Sequence, residues 1–101
     1  TSDFFIAVGE ASSSCPAPVD YVGAQARLWF WVPDLGRWEL AHTGSLAYDQ
    51  PYKIPGKVVT SVASSTCRAA YFAVVGFHQA KLGGDTASVR TEGNIVQFTC
   101  G

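Results

Sequence analysis

The stretch Arg27–His42, RLWFWVPDLGRWELAH, constrains the fold of this chain more than any other. Two short apolar runs, rich in Trp, Phe, Leu and Val, flank Pro33-Asp34-Leu35-Gly36. Proline presets φ for the first corner of a type I turn, aspartate tolerates the second, and glycine supplies the left-handed residue that closes such a loop. The flanking side chains suit a pleated surface. The stretch therefore predicts a β-hairpin with a four-residue loop.

That loop length sets a register. Val32 is expected opposite Arg37, Trp31 opposite Trp38, Trp29 opposite Leu40 and Arg27 opposite His42. Side chains alternate between the two faces of a strand. Trp29, Trp31 and Trp38 then share one face, while Leu28, Phe30 and Val32 share the other with Arg37, Glu39 and Ala41. A three-residue loop would split the tryptophans, because a one-residue slip moves every side chain of a strand across the sheet. The longer loop is preferred because it places Pro33 at the corner its ring favours.

The remaining chain reads as short strands between turn signals. Asp3–Val8 is an apolar run and reads as a strand. Residues 9–18, rich in Ser, Ala and Pro, read as a linker, since proline lacks the donor that a sheet ladder needs. Residues 19–25 predict a second strand running, through a bulge at Gly23, into the hairpin. Residues 45–57 hold Pro51, Pro55 and Gly56 and predict a long tyrosine-bearing loop, with a short edge strand at Leu46–Tyr48. Residues 57–63 alternate and are β-branched, hence a strand. Residues 67–80 are compatible with a capped helix, but Tyr71, Phe72, Val74 and Val75 together with Gly76 favour a strand. In that strand Ala69, Tyr71, Ala73, Val75 and Phe77 line one face. A turn over 81–85, a strand over 86–91, a bulge or tight turn at 92–94 and a last strand over 95–100 complete the chain.

About seven short strands without a credible long helix predict an all-β fold. An antiparallel sandwich of immunoglobulin-like size, or a partly closed barrel, fits that pattern. With 101 residues, the chain is expected to form a single domain over 1–101. Such a chain buries roughly two-thirds of its unfolded surface, enough for one modest core.

Composition narrows the function. The chain is 48% hydrophobic and 15% charged, with a net charge of −1. Nucleic acids and anionic membranes both attract basic patches, so neither is an expected partner. No apolar run approaches the length of a membrane span. A chain that starts at Thr1 and holds no methionine fits a processed, exported protein. The three cysteines cannot all pair within one chain. A long C-terminal hairpin turning at Gly83-Gly84 would set Cys67 opposite Cys100, and a disulfide there stabilises a small domain by about 2–4 kcal/mol. Cys15 is then free, or links the chain to a second subunit. The alternative bridge joins Cys15 to Cys67.

Catalytic patterns are sparse. The chain has no CxxC or HExxH metal spacing, no glycine-rich phosphate loop and no GxSxG elbow, so neither a metal nor another cofactor is expected. A thiol–imidazole pair using His42 or His78 is conceivable, but exported thiols usually oxidise to disulfides. The eight acidic residues are scattered, without a pair placed for glycoside hydrolysis.

Recognition is what this composition permits. The first expectation is an exported, non-enzymatic protein that binds another protein, as an inhibitor or as a small subunit of a secreted complex. Its contacts would come from Tyr48, Asp49, Tyr52 and Lys53 in the long loop, with Asp3–Val8 docking as a strand. The alternative is a carbohydrate-binding module that stacks sugars on Trp29, Trp31 and Trp38. Against that platform stands a plain packing argument: a domain this small has few other side chains large enough to fill its core.

Overall fold

In a computed structural model, residues 6–66 and 70–98 are described, and within them the chain is all β. In chain order the strands are β1 (Ile6–Ser13), β2 (Tyr21–Val32), β3 (Arg37–Thr43), β4 (Ala47–Asp49), β5 (Val59–Thr66), β6 (Ala70–Leu82), β7 (Asp85–Glu92) and β8 (Val96–Phe98). They form two antiparallel sheets, one of six strands and one of two, which make a small β-sandwich.

Strands β2 and β6 are the axis of the large sheet. They run antiparallel from Tyr21↔Lys81 to Phe30↔Phe72 without interruption. No bulge forms at Gly23, contrary to expectation. Instead the ring of Tyr21 lies over Gly23, where an added Cβ would meet it at 2.8 Å or less. Each axial strand shares its other edge between two shorter ones: β3 and β4 lie along β2, and β7 and β8 lie along β6. The step from β7 to β8 is a bulge, since Glu92 pairs with Val75 and Val96 with Phe72. Gly93 occupies that step and donates to the Val74 carbonyl at 2.8 Å.

Strands β1 and β5 form the small sheet, paired from Ile6↔Thr66 to Ser13↔Val59. Residues 9–13, expected in a linker, are therefore strand, and the true connection is 14–20. The reason lies in which side chains point inward. A Cβ at Gly9 would approach Val74 to 2.8 Å, and Ala11 is buried against Ala26, Leu28, Ala63 and Phe72. A strand packed this closely on another sheet must be small on its inner side. The outward Ser12 hydroxyl meets that of Thr60 at 2.9 Å.

The core thus takes the even-numbered face of β2. Val22, Ala24, Ala26 and Leu28 are each at most 2% exposed. A second cluster joins Val22 and Ala24 to Val59 and Tyr52. Tyr52 is fully enclosed. Its hydroxyl donates to the Lys57 carbonyl and accepts from the Cys15 amide. One phenol therefore ties the 14–20 connection and the long 45–57 segment to the core. That segment contains the edge strand β4, one residue later than expected.

The hairpin forms with its four-residue loop. Gly36 has φ of 61° and donates to the Val32 carbonyl at 2.9 Å. Val32↔Arg37, Trp31↔Trp38 and Trp29↔Leu40 pair as the loop length implies. The outer pair differs: Arg27 faces Thr43, because a bulge lies between Leu28 and Trp29. The bulge turns His42 to the face of Leu28, where its Nδ1 accepts from the Ser64 amide of β5 at 3.1 Å. The second hairpin, β6–β7, turns at Gly83-Gly84 with Leu82 opposite Asp85. Gly83 has φ of 61°, as a tight two-residue turn requires. Cys67 and Cys100, and the bridge expected between them, lie outside the described residues.

Candidate functional site

Alternation puts Trp29 and Trp31 on the odd-numbered face of β2, away from β1 and β5. Trp38 joins them from β3. All three are half-buried on the outer face of the large sheet, so the expectation that they fill the core is corrected. A core of alanines explains the difference. The two sheets meet through Ala11, Ala24, Ala26 and Ala63, which leaves no depth for indole rings between them. The molecule measures only 17 Å along its shortest principal axis.

Trp31 and Trp38 are a directly cross-strand pair and pack edge to face, with centroids 5.6 Å apart at 65°. Such packing is worth about 0.5–1.5 kcal/mol and fixes both rings. Trp29 stands opposite Ala73 on β6. A small residue beside a large one opens a groove of about 340 Å³. Trp29 and Trp38 line it on one side, Arg90, Glu92 and Ile95 on the other, with Ala73 and Val75 also lining it. The far wall is polar and exposed: Arg90 Nη1 bonds Glu92 Oε1 at 2.8 Å, with both side chains more than half accessible.

The same face continues toward the other end of β2. The guanidinium of Arg27 lies 4.5 Å from the centroid of the Phe77 ring. Arg90 stands directly opposite Phe77 on β7. Beyond them Tyr21 stacks on Tyr48, centroids 5.8 Å apart and planes within 16°. Lys81 Nζ sits 5.0 Å from the Tyr21 ring. Aromatic groups therefore run the length of the sheet.

The long-loop residues do not form one surface. Tyr48 is exposed and belongs to the aromatic face just described. Asp49 points to the opposite face and pairs with Lys57 Nζ at 3.3 Å. Tyr52, expected as a contact, is enclosed and holds the loop down. Lys53 is exposed. Residues 3–5 of the expected docking strand lie outside the described residues, and the rest of it pairs within the chain as part of β1.

Cys15 is half-buried and unbridged, against the cluster of Val22 and Tyr52. Neither histidine is hydrogen-bonded to it among the described residues. His42 is engaged by Ser64, and His78 is held between Ser13 Oγ at 2.7 Å and Thr91 Oγ1 at 2.8 Å. His78 thus ties β1 to β6 and β7. No cluster of three or more His, Cys, Asp or Glu that suits a metal occurs among the described residues. Among the described residues no helix is long and apolar enough to cross a membrane.

Arg27, Phe77, Arg90 and Tyr21 were not singled out for a site by the sequence. Their signal was present in the strand alternation: once Leu82 is set opposite Asp85, counting back places Arg90 beside Phe77. What the sequence lacked was the pairing of β6 with β2. The chain matches no protein-family model, no curated protein and no solved structure.

Proposed function

We propose that this protein is an exported, non-enzymatic carbohydrate-binding module whose site is the outer face of the large sheet. The observation that carries the reading is the groove between Trp29 and Trp38 and the Arg90–Glu92 pair. Indole faces stack on the C–H faces of sugar rings at low conformational cost, since each indole has only two torsions to fix. The T-shaped packing of Trp38 on Trp31 preorganises that surface. An exposed guanidinium and carboxylate beside the rings supply the charged hydrogen-bond donors and acceptor that read sugar hydroxyls. The β-sandwich supplies rigidity, because both β2 and β6 are paired along both edges.

The test is affinity electrophoresis through gels containing soluble polysaccharides, neutral and acidic. The wild-type chain is retarded by at least one of them. Trp29→Ala and Trp38→Ala each lose most of the retardation, while Leu46→Ala keeps it. Absence of retardation by every polysaccharide rejects the reading.

A second reading is recognition of a protein partner, which Leu46 at 50% and Tyr48 at 58% exposure support. Large apolar groups exposed side by side suit a protein contact. A pull-down with wild type and Tyr48→Ala distinguishes the two: a protein captured only by the wild type favours the partner.

A further inference from the structure

The charges on the aromatic face differ in balance from those of the whole chain. Among the described strand positions of that face stand Arg27, Lys81 and Arg90, against the single carboxylate of Glu92. The chain as a whole carries a net charge of −1, so cationic charge is gathered on the side that holds the tryptophans. Glu92 is taken by Arg90. Arg27 has no salt-bridge partner among the described residues. Its Nε is a buried donor without an acceptor. Lys81 Nζ lies 5.0 Å from the Tyr21 ring centroid and has no salt-bridge partner among the described residues.

A guanidinium kept beside an aromatic ring, without a carboxylate of its own, has unspent capacity for an anion. Arginine presents a planar fork that binds carboxylates bidentately. Two such forks flank Phe77, Arg27 over its ring and Arg90 opposite it on β7. Resting on the carbohydrate-binding reading, we infer that the ligand is an acidic polysaccharide. Its uronate carboxylates meet Arg27 and Arg90 while its sugar rings stack on Trp29 and Trp38. The stacking supplies affinity for any suitable glycan, and the arginines choose the charged one.

The probes are polygalacturonate and alginate, with fully methyl-esterified polygalacturonate as the same chain stripped of charge. Calorimetric titration of the wild type is expected to show polygalacturonate or alginate binding at least about tenfold tighter than the ester. That advantage shrinks between about 0.02 M and about 0.5 M NaCl, as the exposed charges are screened. Arg90→Gln reduces binding of the acidic chain by about tenfold and that of the ester, which loses only a hydroxyl contact, by a clearly smaller factor. Glu92→Gln acts in the opposite direction: releasing Arg90 strengthens acidic binding about twofold to fivefold. Both side chains are exposed, so both variants fold, and a gain from Glu92→Gln has no explanation in lost packing. Equal binding of acid and ester overturns the inference and leaves the carbohydrate reading standing. Binding of neutral glycans only has the same consequence. No binding to any glycan overturns both.

Discussion

Leu28 and Trp29 are neighbours in the chain and lie on opposite faces of one strand, so truncating each measures which face is the core. Leu28 is 2% exposed and surrounded by Ala11, Ala26, Ala63 and Phe72. Alanines on paired strands cannot move in to fill a hole, so Leu28→Ala falls in the upper part of the usual range, about 3–5 kcal/mol. Trp29 is half-buried. A tryptophan buries about 150–250 Å² when enclosed. Losing roughly half of that contact at about 25 cal/mol per Å² costs about 2–3 kcal/mol. A domain of this length has about 5–15 kcal/mol of stability in total, so both variants remain measurable. Urea unfolding followed by far-ultraviolet circular dichroism reads both without relying on tryptophan emission. Leu28→Ala is expected to cost roughly one and a half times as much as Trp29→Ala. A Trp29→Ala cost equal to or above that of Leu28→Ala refutes the assignment of faces.

Three further outcomes are expected. Tyr52→Phe keeps the ring but leaves the Lys57 carbonyl and the Cys15 amide without their partner, which costs about 2–4 kcal/mol in the same urea assay; Tyr48→Phe, which removes a hydroxyl on the exposed outer face, changes stability by less than about 0.5 kcal/mol. Gly9→Val drives a branched side chain into Val74, where even a Cβ would stand at 2.8 Å; β1 loses its seat, and amide hydrogen exchange across Ala7–Ser13 and its partner β5 accelerates by orders of magnitude while β7 is little changed. Gly36→Val forces a branched residue to φ of 61°, costs about 1–2 kcal/mol, and weakens glycan retention only through the hairpin that positions Trp38.

Much of the fold is legible in the chain because local rules decide it. Pro33 and Gly36 select a four-residue loop, and the loop alone sets the pairing of Trp31 with Trp38. Gly83-Gly84 does the same for β6 and β7. The bulge that separates Arg27 from His42 has no local cue, since its visible consequence is a hydrogen bond from Ser64 of a distant strand. The face occupied by the tryptophans was equally illegible. A sheet has two sides, and the choice between them depends on where β1 and β5 dock. Counting large side chains pointed to an indole core. The deciding feature was the reverse: Gly9, Ala11 and Ala63 are too small to need one, Gly9 lying on Val74 and Leu28 and the two alanines on Ala26 and Leu28. Tyr52 was misplaced for a related reason. A tyrosine between prolines looks like a contact residue until the buried carbonyl that accepts its hydrogen is known.

The most direct test of an outward, sugar-stacking tryptophan face is acrylamide quenching of native tryptophan emission with and without saturating polysaccharide. The face described here predicts substantial quenching in the free protein and marked protection, with a blue shift, when the glycan is bound. Emission that already resists acrylamide in the free protein, and that no glycan alters, would contradict it.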